Sequence, residues 1–163
     1  MKNILATTIF CAVFVFGPGL ARGASEPSPL GYWTTIDDDG VTPTSVMEIY
    51  REGDTLLGRV VQVLREGADP MAPCEKCPGE LKNQPVLGMR LIWGMKQDGD
   101  RWSGGRVLDP ESGSDYSCRM QVEGDELHIR GYIGLPLLGR TQVWLRTDRP
   151  VGKAAVSTGS VSG

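Results

Sequence analysis

Two cysteines separated by two residues are the side chains in this sequence best suited to chemistry. Cys74 and Cys77 lie between Pro73 and Pro78, in the longest stretch without a strand pattern. In an oxidising compartment such a pair favours a disulfide, either between the two or from one of them to Cys118. A redox-active pair is the alternative. Such pairs usually begin a helix in a βαβ unit, which lowers a thiol pKa, and no such context surrounds this pair.

A metal site is a weaker interpretation of the same residues. Zinc prefers four ligands, so Cys118 and His128 would have to converge on the cysteine pair. The run 37–40 (Asp-Asp-Asp-Gly) offers carboxylates for calcium, but its spacing does not match the twelve-residue calcium loop and is typical of a solvated turn. His128 is the only histidine and has no evident catalytic partner. We therefore predict no metal, no cofactor and no catalytic residue.

Arginines within β-type runs are the remaining candidates for binding. An arginine that points into a barrel requires an anionic partner, from a side chain or a ligand, whereas one that points outward is an ordinary solvated charge. Aromatic side chains on such strands are more often core residues than ligand contacts. The sequence does not fix the direction of these side chains, because neighbouring glycines favour bulges. The candidate ligand-binding residues are Trp33, Trp93, Arg106, Tyr116, Arg130 and Arg140.

Short β-type runs that alternate with turn formers position these side chains. Turns are indicated at residues 38–40, 52–54, 98–100, 109–113 and 123–125, where Asp, Gly and Pro cluster. No helical stripe is evident beyond the N-terminal apolar run. The predicted strands cover residues 30–37, 44–51, 55–65, 87–96, 101–109, 114–122, 126–133 and 138–147.

Strict alternation in two of these runs predicts the architecture. One predicted inward face consists of Met89, Leu91, Trp93 and Met95, and another of Tyr116, Cys118, Met120 and Val122. Period-two patterning indicates one buried face and one wet face. About eight such strands joined by hairpins predict an all-β fold, an antiparallel up-and-down barrel whose closure removes exposed edges. Such a barrel is filled by side chains or holds one small ligand.

The first and last predicted strands resemble the pattern of lipocalins, or calycin-like barrels. Gly31 and Trp33 form a Gly-x-Trp at the start of the first strand, and Arg146 lies beside Trp144 in the last. In lipocalins a late arginine packs across the first-strand tryptophan at the closed end, which is a cation–π contact. The resemblance therefore implies a barrel with one closed end.

A more specific resemblance extends over nearly the whole predicted barrel. It is carried by segments 31–35, 38–40, 74–79, 82–88, 104–110, 130–134 and 139–142. These segments resemble the bacterial exported family catalogued as domain of unknown function 2147. The resemblance implies an envelope protein with a lipocalin-like barrel, and it implies no known activity.

The N-terminus predicts export. Lys2 precedes an apolar run from Ile4 to Phe16, and the small residues Ala21 and Gly23 follow it. This pattern predicts a secretory signal over residues 1–23, with cleavage after Ala21 or Ala24 and a retained anchor as alternatives. A membrane span needs roughly 20 apolar residues, which this run does not reach. A flexible lead-in over 24–29, a barrel over 30–147 and a disordered tail over 148–163 complete the predicted organisation.

Charge limits the partners. Removing residues 1–23 removes Lys2 and Arg22 and no acid, so 15 basic residues oppose 20 acidic ones and the net charge changes from −3 to −5. No basic cluster remains, so we expect neither nucleic-acid binding nor attraction to an anionic membrane.

Three functions remain, and the first is preferred. We expect an exported, non-enzymatic protein, periplasmic with the extracellular medium as the alternative, and with no transmembrane segment after signal cleavage. Its barrel would bind an apolar or amphipathic small ligand, with an arginine meeting an anionic head. The second hypothesis is a side-chain-filled barrel that binds an envelope protein through the loop of Cys74 and Cys77. The third is a thiol-redox protein that uses the same two cysteines.

Overall fold

Eight antiparallel strands form a closed barrel in this computed structural model, which describes residues 27–151. The predicted signal over 1–23 and most of the predicted tail lie outside the described residues. Each strand pairs with the next, and the last pairs with the first, so the predicted up-and-down barrel is confirmed. The strands are β1 (Gly31–Ile36), β2 (Pro43–Glu52), β3 (Thr55–Val63), β4 (Arg90–Asp98), β5 (Arg101–Asp109), β6 (Ser114–Glu123), β7 (Glu126–Tyr132) and β8 (Arg140–Thr147).

The connections differ in length between the two ends of the barrel. Tight hairpins at 52–55, 98–101 and 123–126 lie at one end, and longer connections at 37–42, 64–89, 110–113 and 133–139 lie at the other. Two of the longer connections contain a single 3₁₀ turn, Gly79–Leu81 or Pro136–Leu138. Within residues 27–151 we find no helix with the length and hydrophobicity to cross a membrane.

A tryptophan and an arginine seal the end that carries the tight hairpins. The side chain of Trp33 is completely buried, and the Arg146 guanidinium carbon lies 4.0 Å from its ring centroid. The indole nitrogen donates to the Pro29 carbonyl at 2.7 Å, and Arg146 donates to the carbonyls of Ser28 and Leu30. The contact implied by the lipocalin resemblance is therefore present, and it also holds the chain that precedes β1.

Large inward side chains fill the half of the barrel next to this closed end. Met120 and Cys118 alternate with exposed or half-exposed neighbours along β6, as predicted, and Cys118 is a buried free thiol. Ile49, Leu56, Met95, Met120 and Leu127 are each at most 1% exposed. The closed half is thus a dry core of the kind that stabilises small barrels.

The predicted inward face of β4 is wrong at Trp93. Ile92 and Met95 are both fully buried, so the two-residue alternation breaks between them. The register with β3 shifts at the same level, and Gly94 adopts a φ of 71°, which an L side chain rarely tolerates. Trp93 is left half-buried, paired across the sheet with Arg106.

The closed end provides a stability test. Arg146→Lys keeps the charge but loses the planar stacking on Trp33 and part of the bonding to the lead-in carbonyls. We expect the free energy of unfolding to fall by about 1–2 kcal/mol, measured by urea titration of tryptophan fluorescence.

Arg101→Lys is the matched control, because Arg101 lies in the 98–101 hairpin at the same end and its side chain bonds to that of its exposed neighbour Asp100. Its effect should stay within about 0.5 kcal/mol. Equal losses in both variants would show that the stack on the tryptophan contributes nothing specific.

Candidate ligand-binding site

A cavity of about 960 Å³ occupies the other half of the barrel. It lies where the inward side chains become smaller along β1 and β7. Trp33 gives way to Thr35 on β1, and Leu127 gives way to Gly131 on β7. The apolar wall includes Met47, Val60, Val63, Leu91, Ile129 and Trp144. The filled core lies below the cavity, and residues of the long connections border its mouth.

Three hydroxyl groups form a polar patch on this apolar wall. The Thr35 hydroxyl lies 2.7 Å from the Thr44 hydroxyl and 2.7 Å from the Ser45 hydroxyl, and all three residues line the cavity. Hydroxyl hydrogens rotate, so the patch has capacity both to donate and to accept. Tyr116 and Gln142 add further polar groups to the lining. The site therefore offers hydrogen bonds beside a hydrophobic surface.

The loop at 64–89 forms one side of the mouth and is closed by a disulfide. Cys74 bonds to Cys77, with their Cα atoms 5.4 Å apart, so the local pairing is the correct one of the alternatives. Backbone bonds from Cys74 N to Gln84 O and from Asn83 N to Cys74 O fold the loop back on itself. The two cysteine side chains are only 3% and 2% exposed. The loop is thus a compact part of the cavity wall.

This loop packs closely against the connection between β5 and β6. A Cβ atom on Gly113 would collide with the Lys76 carbonyl oxygen, and Gly113 also has a positive φ. Cys74 Sγ lies 3.4 Å from the Pro110 carbonyl oxygen. Glycine is therefore required at 113 for the two connections to meet.

Carboxylates outnumber cations around the mouth. The acidic lining residues are Asp37, Asp38, Asp69, Glu75, Asp109 and Glu111, and the basic ones are Arg65, Lys76 and Arg140. Arg65 bridges Asp37 at 3.2 Å and Glu111 at 2.9 Å. Hydrogen bonds from the hydroxyl and amide of Thr42 lower the pKa of nearby Asp39, which adds a further stable negative charge. The mouth is therefore acidic.

Two of the six candidate binding residues line the cavity. Tyr116 faces it from β6, and Arg140 lies at the mouth on the inward side of β8, opposite Gly131. The Arg140 guanidinium is paired with the Asp38 carboxylate. Trp33 lies on the inward face as well, but it is sealed into the closed end and does not reach the cavity lining.

The other three candidates lie outside the lining. Trp93 and Arg106 pair with each other across the sheet, and the Arg106 guanidinium bonds to Asp115. Arg130 donates to the carbonyls of Pro136 and Leu137, in the β7–β8 connection. The structure thus gives Arg106 and Arg130 internal anionic or carbonyl partners in place of a ligand.

Sequence reasoning missed the hydroxyl patch and the acidic mouth. Thr35, Thr44 and Ser45 carry no distinctive spacing, and they meet only because β1 pairs with β2. The acidic run at 37–39 was visible as a turn, but its nearness to Asp69 and Glu111 depends on barrel closure. Acids occur at the connections of both ends of the barrel, so the sequence carries no signal that marks the mouth.

The described residues give little support to metal or thiol chemistry. Within 27–151, no three His, Cys, Asp or Glu side chains converge in a metal-binding arrangement. The cysteine pair is buried and is followed by the Gly79–Leu81 turn, not by an α-helix whose N-terminus would lower a thiol pKa. His128 lies at the closed end, 3.3 Å from a Glu126 oxygen and remote from the cavity.

Sequence comparison assigns the chain to a family. The family DUF2147, described as "uncharacterized protein conserved in bacteria", matches residues 31–146. The chain belongs to the DUF2147 family. No curated protein matches its sequence. The DUF2147 match begins at the glycine of the Gly-x-Trp and ends at Arg146, so it includes the whole barrel except Thr147, the last residue of β8.

A solved structure supports the fold of this DUF2147 protein. Protein HP1028 from Helicobacter pylori, described as belonging to the lipocalin family, superposes with a TM-score of 0.63 at 16% sequence identity. The alignment covers 73% of the present chain and 82% of HP1028. At this identity the likeness establishes the lipocalin-like fold alone.

The cysteines of this DUF2147 barrel provide a chemical test. Burial raises the pKa of the Cys118 thiol to about 12, so roughly one molecule in ten thousand carries the reactive thiolate at pH 8. We expect iodoacetamide to modify no cysteine of the folded mature chain and one cysteine after unfolding in guanidinium chloride. Mass spectrometry of both samples measures this.

Tryptic mapping of the same samples identifies the residue. Labelling of Cys118 alone in the unfolded sample agrees with the disulfide between Cys74 and Cys77. Labelling of Cys74 or Cys77 without prior reduction would contradict the pairing described above.

Proposed function

We propose that this protein is an exported binding module that takes an apolar or amphipathic small molecule into the open half of its barrel. The cavity of about 960 Å³ carries this proposal. Ligand sites in proteins typically enclose roughly 300–1,000 Å³ and combine apolar walls with a few convergent polar groups. A barrel filled throughout by side chains, the alternative hypothesis, would leave no such space.

The lining suggests how a ligand lies. An apolar chain would pack against Met47, Val60 and Ile129, while a polar group would reach the hydroxyls of Thr35 and Ser45. About ten buried methylene groups contribute roughly 8 kcal/mol. Lost ligand motion offsets part of this gain. We therefore expect simple alkyl ligands to bind with dissociation constants between about 1 μM and 1 mM.

The charged residues around the mouth favour some ligand head groups over others. Arg140 is the one predicted arginine that lines the cavity, and Asp38 already pairs with it. An anionic head would have to displace that carboxylate and then lie among the remaining acids. A cationic or neutral head meets no such competition, so it suits the site better than the anionic head expected from sequence.

Export is the second part of the proposal. The charged start, apolar run and small-residue exit over residues 1–23 support a secretory signal. The disulfide between Cys74 and Cys77 agrees with an oxidising compartment, since such bonds are rare in the cytosol. Both features favour export, and the bacterial family match favours the periplasm, with the medium as the alternative.

The export proposal predicts a defined mature mass. Protein recovered from a periplasmic extract of its own cells should begin near residue 24 and weigh two hydrogens less than its reduced form, because one disulfide has formed. Intact-mass spectrometry before and after reduction measures both. A full-length chain with an uncleaved N-terminus in the cytosolic fraction would refute export.

The binding proposal predicts that filling the cavity weakens binding. Val63→Phe places a larger side chain in the cavity wall, and we expect the affinity for dodecylammonium to fall at least about tenfold, since the alkyl chain loses its space. Calorimetric titration measures this. Val143→Phe is the matched control. Val143, on β8, pairs with outward-facing His128 on β7, so this change should leave the affinity unchanged.

The same titration compares two head groups. Dodecanoate should bind the unmodified protein more weakly than dodecylammonium, because the mouth is acidic. Equal binding by the Val63→Phe variant and the unmodified protein would place the ligand outside the cavity. If neither dodecanoate nor dodecylammonium binds, the result would count against the binding proposal, because these are the simplest amphipathic ligands.

A further inference from the structure

Four exposed apolar side chains border the cavity mouth on one short connection. Ile133, Leu135, Leu137 and Leu138 are 75%, 66%, 85% and 78% exposed. We call these four residues the apolar rim. The segment 133–139 that carries them contains no charged residue. Large apolar side chains concentrated in this way on a protein surface mark an interaction site.

The apolar rim is held in a defined conformation. Arg130 donates to the Pro136 carbonyl at 2.6 Å and to the Leu137 carbonyl at 3.0 Å. The Leu138 amide donates to the Leu135 carbonyl at 3.1 Å, which closes the 3₁₀ turn. Three carbonyls of the segment therefore have internal partners, and Pro136 has no amide hydrogen to satisfy. Because these bonds fix the turn before contact, docking would order little further backbone, and only the side chains of the rim need reach the apolar part of a bilayer.

The apolar rim is continuous with the cavity. Ile133 and Leu138 belong both to the rim and to the cavity lining. An apolar molecule that moves from a surface covered by the rim into the barrel would therefore remain in contact with apolar side chains. This continuity ties the patch to the mouth rather than to an unrelated face of the barrel.

We propose that the apolar rim docks the cavity mouth onto a zwitterionic lipid bilayer. The rim is one loop tip of four side chains, whereas a stable protein–protein interface involves roughly 20–30 residues on each side. The six carboxylates and three cations around the mouth give this end a negative excess, which an anionic surface would repel and a zwitterionic surface would not. Docking concerns the rim alone and holds whether or not the cavity accepts the alkyl ligands tested above.

Vesicle flotation of the mature chain tests this docking. Vesicles of phosphatidylcholine and phosphatidylethanolamine should carry the protein upward in a density gradient, and replacing about a third of the lipid with phosphatidylglycerol should weaken the association. The paired change Leu137→Ser and Leu138→Ser should reduce the bound fraction at least about tenfold, because it removes the two most exposed apolar side chains of the rim.

Two variants separate docking from folding and from ligand binding. Leu145→Ser removes an exposed leucine of β8 near the closed end, and it should float like the unmodified protein. Val63→Phe blocks the cavity and should also float normally, which separates a failure of docking from a failure of ligand binding. Thermal unfolding of each variant checks that the barrel remains intact.

Three results would overturn the proposal. The first is flotation that survives the paired rim substitution in a folded protein. The second is stronger association with vesicles that contain phosphatidylglycerol, since charge and not the apolar rim would then dominate. The third is no flotation together with a dimer in solution that the paired substitution dissociates, which would assign the rim to a second copy of the chain.

Discussion

The pairing of β8 with β1 over the buried Trp33 is the constraint on which the other features rest. Closure gives partners to backbone groups that would otherwise form two exposed edges. It also brings Arg146 onto the indole ring, where the guanidinium covers the ring and binds the carbonyls that lead into β1. With one end sealed by contacts between the first and last strands, the barrel needs no large side chains at its other end to remain closed.

That freedom explains the cavity. Along β1 and β7 the inward positions change from Trp33 and Leu127 near the seal to Thr35 and Gly131 near the mouth. The 64–89 loop does not fill the space that these smaller side chains leave. It folds on its own disulfide and forms part of the cavity wall. Stability and binding capacity therefore come from different halves of the same strands.

The sequence was sufficient for the strands and the turns, because period-two patterning and turn formers depend on local order. The contact between Trp33 and Arg146 was expected only from the resemblance to lipocalins. The sequence was not sufficient for the site. The register shifts beside Gly94 and between Trp102 and Gly105 reverse which side chains face inward, so Trp93 and Arg106 could not be oriented by counting. The partner of Arg130 is a set of carbonyls created by the turn at 136–138, which no residue type encodes.

The close approach of Gly113 to Lys76 has a consequence for the redesign of this barrel. The β1–β2 connection contacts its neighbours through side-chain ion pairs, of Asp37 with Arg65 and of Asp38 with Arg140, so it can be replaced by a grafted segment that keeps the two carboxylates. The 64–89 loop and the 110–113 turn are interlocked at backbone level, and any side chain at 113 would force them apart. These two segments form one exchangeable unit, and a graft that transfers either without the other would fail.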